Sequence, residues 1–489
     1  MESWNGEIFE SYLNNPCFPV KVIDAGPLYV PIFSVQIKRD EKQKIILTSR
    51  SLPTSQRSAV IRPAGTVQIN TNKMILQAVA GMRVILSGVT PYSDITYWKT
   101  SGESYREELS RIFSIESMST QDKPIAKVIE WVANIDTSFV FPHRFSRKEI
   151  TNISREFINT KKHITQKNSD IVSGFSSTCL GLTIAGYSLF FCLHPNHKDR
   201  HPSGSGFILY ESYPDEKSRI KIRDCLSFIL GRPLVYYGET RFSEQDQVVG
   251  FKAVSGYSID EKVFSIPTMP PAPICPVEIN CVEADDVEKA VNNLFSMYEQ
   301  LSFEHLSWIY WHARCAPIHM QCVELAAGIE ALQVAYRKSF PGAYSMTILS
   351  PDQTEDLLNP LLNSFTKTIG EMDIEAEQKR MLKNKVNGLN NLPLSVVNER
   401  FFKHLSLCMD EDEAQAWKHR HVSAHGGITD PKNGISLIHK TKILQNLFHR
   451  AVLKITNAHD EYVDYYSSRY PIKRLEESVS SIGVRFSSL

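Results

Sequence analysis

The chain has 489 residues, 42% of them hydrophobic and 22% charged, and its 54 basic and 54 acidic residues leave no net charge at pH 7. This length and composition are typical of a globular protein with two or three domains. Proteins that hold nucleic acid by neutralising phosphates usually carry a basic excess, so a broad phosphate-binding surface is not expected and any contact with nucleic acid should be local.

The chain shows no sign of export or of membrane insertion. Its first residues lack the basic and apolar regions of a signal peptide. The longest nearly apolar stretch, residues 180–193, is too short to span a bilayer and contains Gly181 and Gly186. The nine cysteines include no CxxC pair, a pattern typical of reduced thiols. We therefore expect a cytoplasmic protein without a membrane partner.

The first half of the chain is predicted to be β-rich, because short β-branched runs alternate there with Gly, Pro, Asn and Ser. These runs are 20–23, 44–48, 66–70, 83–86, 182–184, 206–210, 234–237 and 248–251. The more charged segment 104–160 has looser apolar spacing, which predicts helices, and a further helix is predicted over 217–230, ended by Gly231. Residues 1–266 should thus form a sandwich-like β-rich domain with some helices, as one body or as two subdomains.

A proline-rich segment separates this half from a helical one. Residues 267–276 contain five prolines, which excludes a helix and predicts a linker over 267–284. Beyond it the apolar period changes to 3.6 residues, as in Val287, Val291 and Leu294. We predict an all-α bundle over 285–470 and a tail over 471–489, so that the whole chain is an α+β multidomain protein.

The segment with the clearest chemistry lies on a predicted helix that opens at 410–413, carries Trp417 and stops at Gly426-Gly427. Its sequence is Arg420-His421-Val422-Ser423-Ala424-His425. Cleavage of RNA without a metal needs a base for the ribose 2′-hydroxyl, an acid for the departing 5′-oxygen and a cation for the charge on phosphorus. Histidine can supply the first two and arginine the third.

This segment resembles the R-x4–6-H signature of HEPN ribonucleases, in which a polar residue commonly follows the arginine, as His421 does here. Its local form is similar to that of the ApeA-type anti-phage proteins, although many members have Asn where this chain has His421. The earlier segment Ala327-Gly328-Ile329-Glu330-Ala331-Leu332 resembles the "LEAL"-like stretch of the same group. The resemblance covers about 285–470, and the β-rich half matches in layout only.

The resemblance implies a HEPN bundle acting as a metal-independent endoribonuclease on tRNA or mRNA, with no cofactor and a 2′,3′-cyclic phosphate product. It implies that two HEPN domains face each other, hence a homodimer. Arg420 and His425 would be the catalytic pair, His421 the polar helper, and Glu330 a residue that orients them. It also implies a role in phage defence by abortive infection, with the N-terminal domain sensing a phage-derived trigger or restraining the nuclease.

Other candidate residues carry weaker signals. Lys418, Lys440 and Lys442, with the neighbouring His449 and Arg450, could form a phosphate-attracting rim, but a solvated helix face is the more common explanation for such residues. The aromatic residues of 308–311 could stack bases, but core packing is the more common role.

One cluster has metal-binding residue types: Cys192, His194, His197 and His201. Zinc sites usually draw paired ligands from two separate segments, and histidines in a proline-flanked loop are usually solvated, so no metal is expected. The sequence lacks a P-loop, HExxH and GxSxG, which disfavours NTPases, zinc proteases and serine hydrolases. Two alternatives remain: an inactive HEPN module that binds RNA or protein, and a β-sandwich binding protein with a helical dimerisation domain.

Overall fold

The computed structural model describes residues 21–39, 44–56, 72–77, 83–98, 104–118, 124–135, 145–158, 163–176, 179–193, 205–255, 273–274, 283–424 and 434–480. Within 145–176 and 420–424 it describes the backbone alone. The chain divides into two compact units, 1–292 and 293–489. None of the helices in the described ranges combines the length and the apolar character needed to cross a membrane.

The first unit is built from antiparallel strands. They are β1 (Lys21–Asp24), β2 (Val30–Arg39), β3 (Ile45–Gln56), β4 (Lys73–Gln77), β5 (Arg83–Ser87), β6 (Thr90–Trp98), β7 (Ser104–Ile112), β8 (Ser114–Met118), β9 (Lys127–Ala133), β10 (Phe145–Ile158), β11 (His163–Ser176), β12 (Cys179–Ile184), β13 (Tyr187–Leu193), β14 (Ser205–Tyr210), β15 (Val235–Phe242) and β16 (Val248–Val254). The prediction of a β-rich first half is confirmed. The predicted strand 66–70 lies outside the described residues.

Two sheets enclose one apolar core in this unit. The larger has the strand order β1-β4-β5-β8-β16-β15-β9-β14-β13-β12 and the smaller β2-β3-β7-β6, while β10 and β11 form a separate hairpin. Leu47 and Ile112 from the smaller sheet pack with Met74, Leu86 and Phe251 from the larger one. The alternation of buried and exposed residues along β4 and β5 follows from this arrangement, because one face of each strand lines the core.

Helix α1 (Glu216–Leu230) is fixed to the larger sheet by charged groups as well as by its apolar face. The Asp215 side chain caps its start, accepting from the Ser218 N–H at 2.9 Å, and Gly231, at φ +70°, ends it as predicted. Arg219 donates to Glu130 on β9 at 3.0 Å and to Glu239 on β15 at 2.6 Å. All three side chains are buried, and the positive charge of Arg219 compensates the negative charges of the two carboxylates.

The prediction of helices within 104–160 is wrong, because the described residues there form β7, β8, β9 and β10. Charge suggested an exposed, helical segment, but Glu108 and Glu130 are buried inside strands. Glu130 can be buried because Arg219 and Arg223, some 90 residues further along the chain, neutralise it. Short-range spacing carries no trace of such distant partners.

The second half of the chain is helical. Its helices are α2 (Ala284–Ser296), α3 (Phe303–Cys315), α4 (Ile318–Ser339), α5 (Asn359–Glu371), α6 (Ala376–Asn387), α7 (Leu394–His404), α8 (Glu411–Ala424) and α9 (Gly434–Thr456). A turn of α-helix at Pro351–Gln353 and a π-helical turn at Thr354–Leu358 precede α5. Of the predicted linker, Pro273 and Ile274 are described and buried.

The second unit has its core where α4 packs against α3, α8 and α9. The predicted α4 stripe of Cys322, Leu325 and Ile329 is buried, as are Leu444 and Phe448 of α9. A Cβ added to Gly328 would lie 3.4 Å from both Ile309 and Phe448, which is ordinary van der Waals contact within this core.

Helix α2 contributes to both units. Its Glu288 accepts from the Thr183 N–H at 2.6 Å and its Asn292 from the Ala185 N–H at 2.8 Å, so the first turns of α2 are tied to the β12–β13 hairpin of the first unit. The remaining turn, from Asn293, belongs to the second unit, where Asn293 donates to the Asn457 carbonyl.

Two predictions at the end of the chain need correction. The all-α bundle predicted over 285–470 ends earlier, because α9 stops at Thr456 and Tyr462 lies on strand β17 (Glu461–Val463), which pairs with β18 (Ile472–Arg474). The predicted tail is packed as far as residue 480, since Leu475 and Val479 are buried and the Arg450 guanidinium donates to the Leu475 carbonyl at 2.8 Å. Buried partners on α9 therefore order a segment whose own sequence looks polar and exposed.

Candidate active site

The helix that carries the Arg420 segment begins with a reciprocal cap. The Glu413 N–H donates to the Asp410 side chain at 2.8 Å, and the Asp410 N–H donates to the Glu413 carboxylate at 3.1 Å. Burial alone would raise the pKa of Asp410, but hydrogen bonds from Glu413 and Ser480 outweigh it and lower that pKa. The acidic start of this helix, predicted from 410–413, is confirmed.

A buried ion pair anchors the same helix to α9. Arg450 of α9 pairs with Glu413 of α8, and both side chains are fully buried. Arg450 also donates to the Cys408 carbonyl and lies over the Tyr462 ring, at 5.4 Å from its centroid. Burial raises the pKa of Glu413 to about 7, and the nearby Arg450 offsets this only in part. The pair joins the start of α8, the middle of α9 and the segment after β18.

From this anchored start, α8 runs through Trp417, Arg420 and His421 and ends at Ala424. The helical context predicted for Arg420 and His421 is therefore present, on the last turn and a half of the helix. Their side chains, and the whole of His425 and the Gly426-Gly427 stop, lie outside the described residues. Helix α8 packs against α4 and α9.

A lysine of α9 lies near the residue that precedes Arg420. Burial lowers the pKa of His419, the residue before Arg420, and the charge of Lys440 on α9 lowers it further. Burial lowers the pKa of Lys442 to about 8, with Arg314 at the end of α3 as a second cause. Of the three lysines predicted as weak substrate contacts, Lys440 thus lies near His419 and Lys442 near Arg314, while Lys418 is exposed on α8.

The sequence patterns did not identify Arg314 and His419 as neighbours of these lysines. Arg314 lies more than a hundred residues before Arg420 and in a different helix, so no local spacing connects the two. His419 stands directly before the motif but outside its pattern. The signal that could have found Arg314 is its place in the last turn of α3, where a cation is favoured and the chain turns immediately into α4.

The residues predicted to support the motif occupy α4. Glu330 is half-buried on α4, the helix that packs against α8, so its role in orienting Arg420 stays a prediction. Near the start of α4, the Cys322 thiol and the Thr441 hydroxyl of α9 lie 3.1 Å apart and join the two helices. Burial raises the pKa of Glu324 on the same helix, and His312 opposes that shift.

Two residues proposed for a solvated rim are instead part of the core, so that interpretation is wrong for them. His449 and Arg450 are both fully buried. His449 Nε2 lies 2.8 Å from the Tyr310 hydroxyl, which also accepts from Gln445 at 3.2 Å. Burial, with Arg314 and Lys442 nearby, holds the pKa of His449 well below its usual value, so this histidine is neutral.

The aromatic residues of α3 divide between core and surface. Tyr310 and Trp311 are buried, as core packing predicts, whereas Trp308 is 57% exposed. The exposed indole lies against His312, with ring centroids 3.9 Å apart.

The weak metal cluster is only partly described. Cys192 is buried on β13, while His194, His197 and His201 lie outside the described residues. Among the described residues, no group of three or more His, Cys, Asp and Glu side chains is placed to hold a metal ion.

The chain matches no model of a known protein family, no curated protein and no solved structure. The functional proposal therefore rests on the fold, the geometry around α8 and the motif itself.

Proposed function

We propose that the second unit is a HEPN-type endoribonuclease whose active residues are Arg420, His421 and His425. The observation that carries this proposal is the position of the motif. It lies at the end of a helix that is capped at 410–413 and anchored by the buried Glu413–Arg450 pair, and Lys440 lies near the residue before Arg420. A fixed helix end that carries Arg420, with a second cation nearby, is suited to hold a phosphodiester in one orientation.

The proposed reaction is a transesterification within the RNA strand. A histidine takes the proton of the ribose 2′-hydroxyl, the 2′-oxygen forms a bond to phosphorus, and the bond from phosphorus to the 5′-oxygen breaks. The second histidine protonates the departing 5′-oxygen, and Arg420 stabilises the additional charge on the phosphoryl oxygens. The products are a 2′,3′-cyclic phosphate and a 5′-hydroxyl, and no metal or cofactor takes part.

One motif supplies half of the proposed cleft. As in the family that the motif resembles, we propose that a second copy of the chain brings its own Arg420 segment to the same RNA. The β-rich unit would then detect a phage-derived trigger or restrain the nuclease, because uncontrolled RNA cleavage is toxic to the cell.

The proposal is tested by expressing the wild type, Arg420→Ala and His425→Ala. Growth of the expressing cells is followed, and cleavage of total tRNA is tested in the presence of EDTA. We expect wild type alone to cut, with both variants reduced at least about a hundredfold, since loss of an acid–base or charge-stabilising group typically costs that much.

Arg380→Ala is the matched control, because Arg380 is exposed on α6 and pairs only with Glu377 of its own helix among the contacts described. It should cut like wild type. Equal cutting by wild type and both motif variants would refute the catalytic assignment. An inactive wild type that still binds RNA would support the binding-module alternative, and loss of cutting in EDTA would point to a metal.

A further inference from the structure

The outer face of the smaller sheet in the first unit carries an unusual set of side chains. Leu47 on β3 and Ile112 on β7 point into the core, so the alternate residues of these strands point the other way. We call this second side the outer face. On β7 it presents Tyr105, Glu107, Leu109 and Arg111, all less buried than their neighbours Glu108, Ser110 and Ile112.

A cation and two rings form a stack across three strands of this face. The Arg50 guanidinium of β3 lies over the Tyr105 ring of β7, at 5.5 Å from its centroid. Tyr105 in turn stacks on Tyr97 of β6, with centroids 5.0 Å apart and 20° between the ring planes. The stack ends at Tyr97, which is 38% exposed on a strand at the edge of this sheet as described.

A second pair lies nearer the start of β6. The Arg111 guanidinium lies over the Tyr92 ring at 5.2 Å, and Tyr92 is 48% exposed. Tyr92 and Tyr97 are five residues apart, which is about 16 Å along a strand. Lys38 is also exposed. It lies on the same face as Arg111, because it pairs with Ile46, and Ile46 pairs with Arg111.

The charge of the outer face differs from that of the chain. Its described charged residues are Lys38, Arg50 and Arg111 against Glu107, and Glu107 is paired to Arg50 at 2.9 Å. Arg111 lies beside the exposed Tyr92 ring, and Lys38 is a second exposed cation of this face, in a protein with no net charge. Exposed rings interleaved with cations suit bases and phosphates, whereas the centre of a protein interface is usually depleted of charge.

We propose that this outer face binds single-stranded nucleic acid, with bases stacking on Tyr97 and Tyr92 and phosphates contacting Arg111 and Lys38. A base on Tyr97 would extend the Arg50–Tyr105–Tyr97 stack by one member. The site belongs to the first unit and does not depend on the proposed ribonuclease function. It accounts for the exposure of aromatic residues on a sheet face that the core leaves uncovered.

Binding is measured on the full chain by fluorescence anisotropy with two labelled dodecamers. The wild type is titrated with oligo-dT, which has no 2′-hydroxyl to attack, and the Arg420→Ala chain with oligo-U. Tyr97→Ala should raise the Kd about five- to a hundredfold, the range found for lost base stacking. Arg111→Ala should reduce the magnitude of the negative slope of log K against log salt concentration by about 0.7, the value for one phosphate contact.

Trp98→Ala is the matched control, since Trp98 is 79% exposed on the same strand but points to the opposite side. It should leave the Kd unchanged, and Tyr97→Phe, which keeps the ring, should bind like wild type even if Tyr97→Ala folds poorly.

Binding of oligo-U alone would identify RNA as the ligand. The proposal is overturned if neither dodecamer binds at 50 mM salt, as expected for a protein-binding face, or if Tyr97→Ala and Trp98→Ala weaken binding equally.

Discussion

Each unit of this protein fixes one helix with buried charges, but the two arrangements differ in redundancy. In the first unit, α1 is held by Arg219 and Arg223, which share Glu130, while Glu239 also binds Arg219 and Arg241. In the second unit, α8 depends on the single pair Glu413–Arg450.

The pKa values reflect this difference. Burial would raise the pKa of Glu239, but Arg219 and Arg241 together lower it, whereas one arginine leaves the pKa of Glu413 raised to about 7. The helix that carries the proposed catalytic motif is thus held by the less redundant of the two devices, so its position should be the easier to disturb.

The largest expected effect comes from removing Arg450. Arg450→Ala leaves Glu413 buried without its partner and removes the donor to the Leu475 carbonyl, so the helical unit should lose about 3–5 kcal/mol of unfolding free energy. Urea unfolding, with hydrogen exchange of α8 and α1 peptides to separate the units, measures the loss. A change below 1 kcal/mol would show that α8 is held by apolar packing instead.

Glu239→Gln should cost less, about 1–3 kcal/mol. After this change Arg219 still has Glu130, and Arg241 still has Glu116 at 2.9 Å, so neither cation is left alone. The same unfolding experiment compares the two variants directly. If Glu239→Gln were as damaging as Arg450→Ala, redundancy would not distinguish the two networks.

The pH dependence sharpens the comparison. The folded pKa of Glu413 exceeds its unfolded value near 4.5, so the folded state binds more protons between about pH 4.5 and 7. Stability relative to Glu413→Gln should therefore fall as the pH rises through that window, by up to about 1.4 kcal/mol per unit.

Glu239 provides the control for this test. Its pKa is lowered, so the stability that it contributes is present above its unfolded pKa and is lost only as the pH falls through the lower folded value. Between pH 5 and 7.5 the wild type minus Glu239→Gln difference should stay constant, while the wild type minus Glu413→Gln difference changes. Two flat differences would contradict the raised pKa of Glu413.

The smallest effect concerns the helix caps. Asp410→Ala should cost roughly 1 kcal/mol, because Asp410 accepts from Glu413 and, through its second oxygen, from the Ser480 N–H at 2.9 Å. Asp215→Ala at the start of α1 should cost less, since Asp215 is exposed and its carboxylate accepts from Ser218 of its own helix. Thermal unfolding of the two units measures both losses of stability. A larger loss in Asp215→Ala than in Asp410→Ala would argue that the hydrogen bond from Ser480 to Asp410 adds no stability.

Local patterns predicted the elements whose signals are local. The α1 stop at Gly231, the acidic start of α8 and the buried stripe of α4 all depend on residues within a few turns of one another. The failures share one cause, which is burial of charge by a distant partner. Glu130, His449 and Arg450 look solvated in sequence, but each finds a partner at least 25 residues away.

The same limit applies to the site. The helix of Arg420 and His421 could be predicted, whereas Arg314 comes near Lys442 only through the packing of α3, α4 and α9. In the proposed dimer the second motif would have the same sequence, and one chain carries no signal for where two copies would meet.

The chemistry of the product ends tests most directly whether Arg420 and His425 cut RNA without a metal. Purified wild type and Arg420→Ala are incubated with tRNA in EDTA, and the 3′ ends of the fragments are identified by mass spectrometry. We expect 2′,3′-cyclic phosphate ends from the wild type and none from the variant. Fragments ending in 3′-hydroxyl groups, or cyclic phosphate ends produced equally by both proteins, would contradict the proposed catalysis.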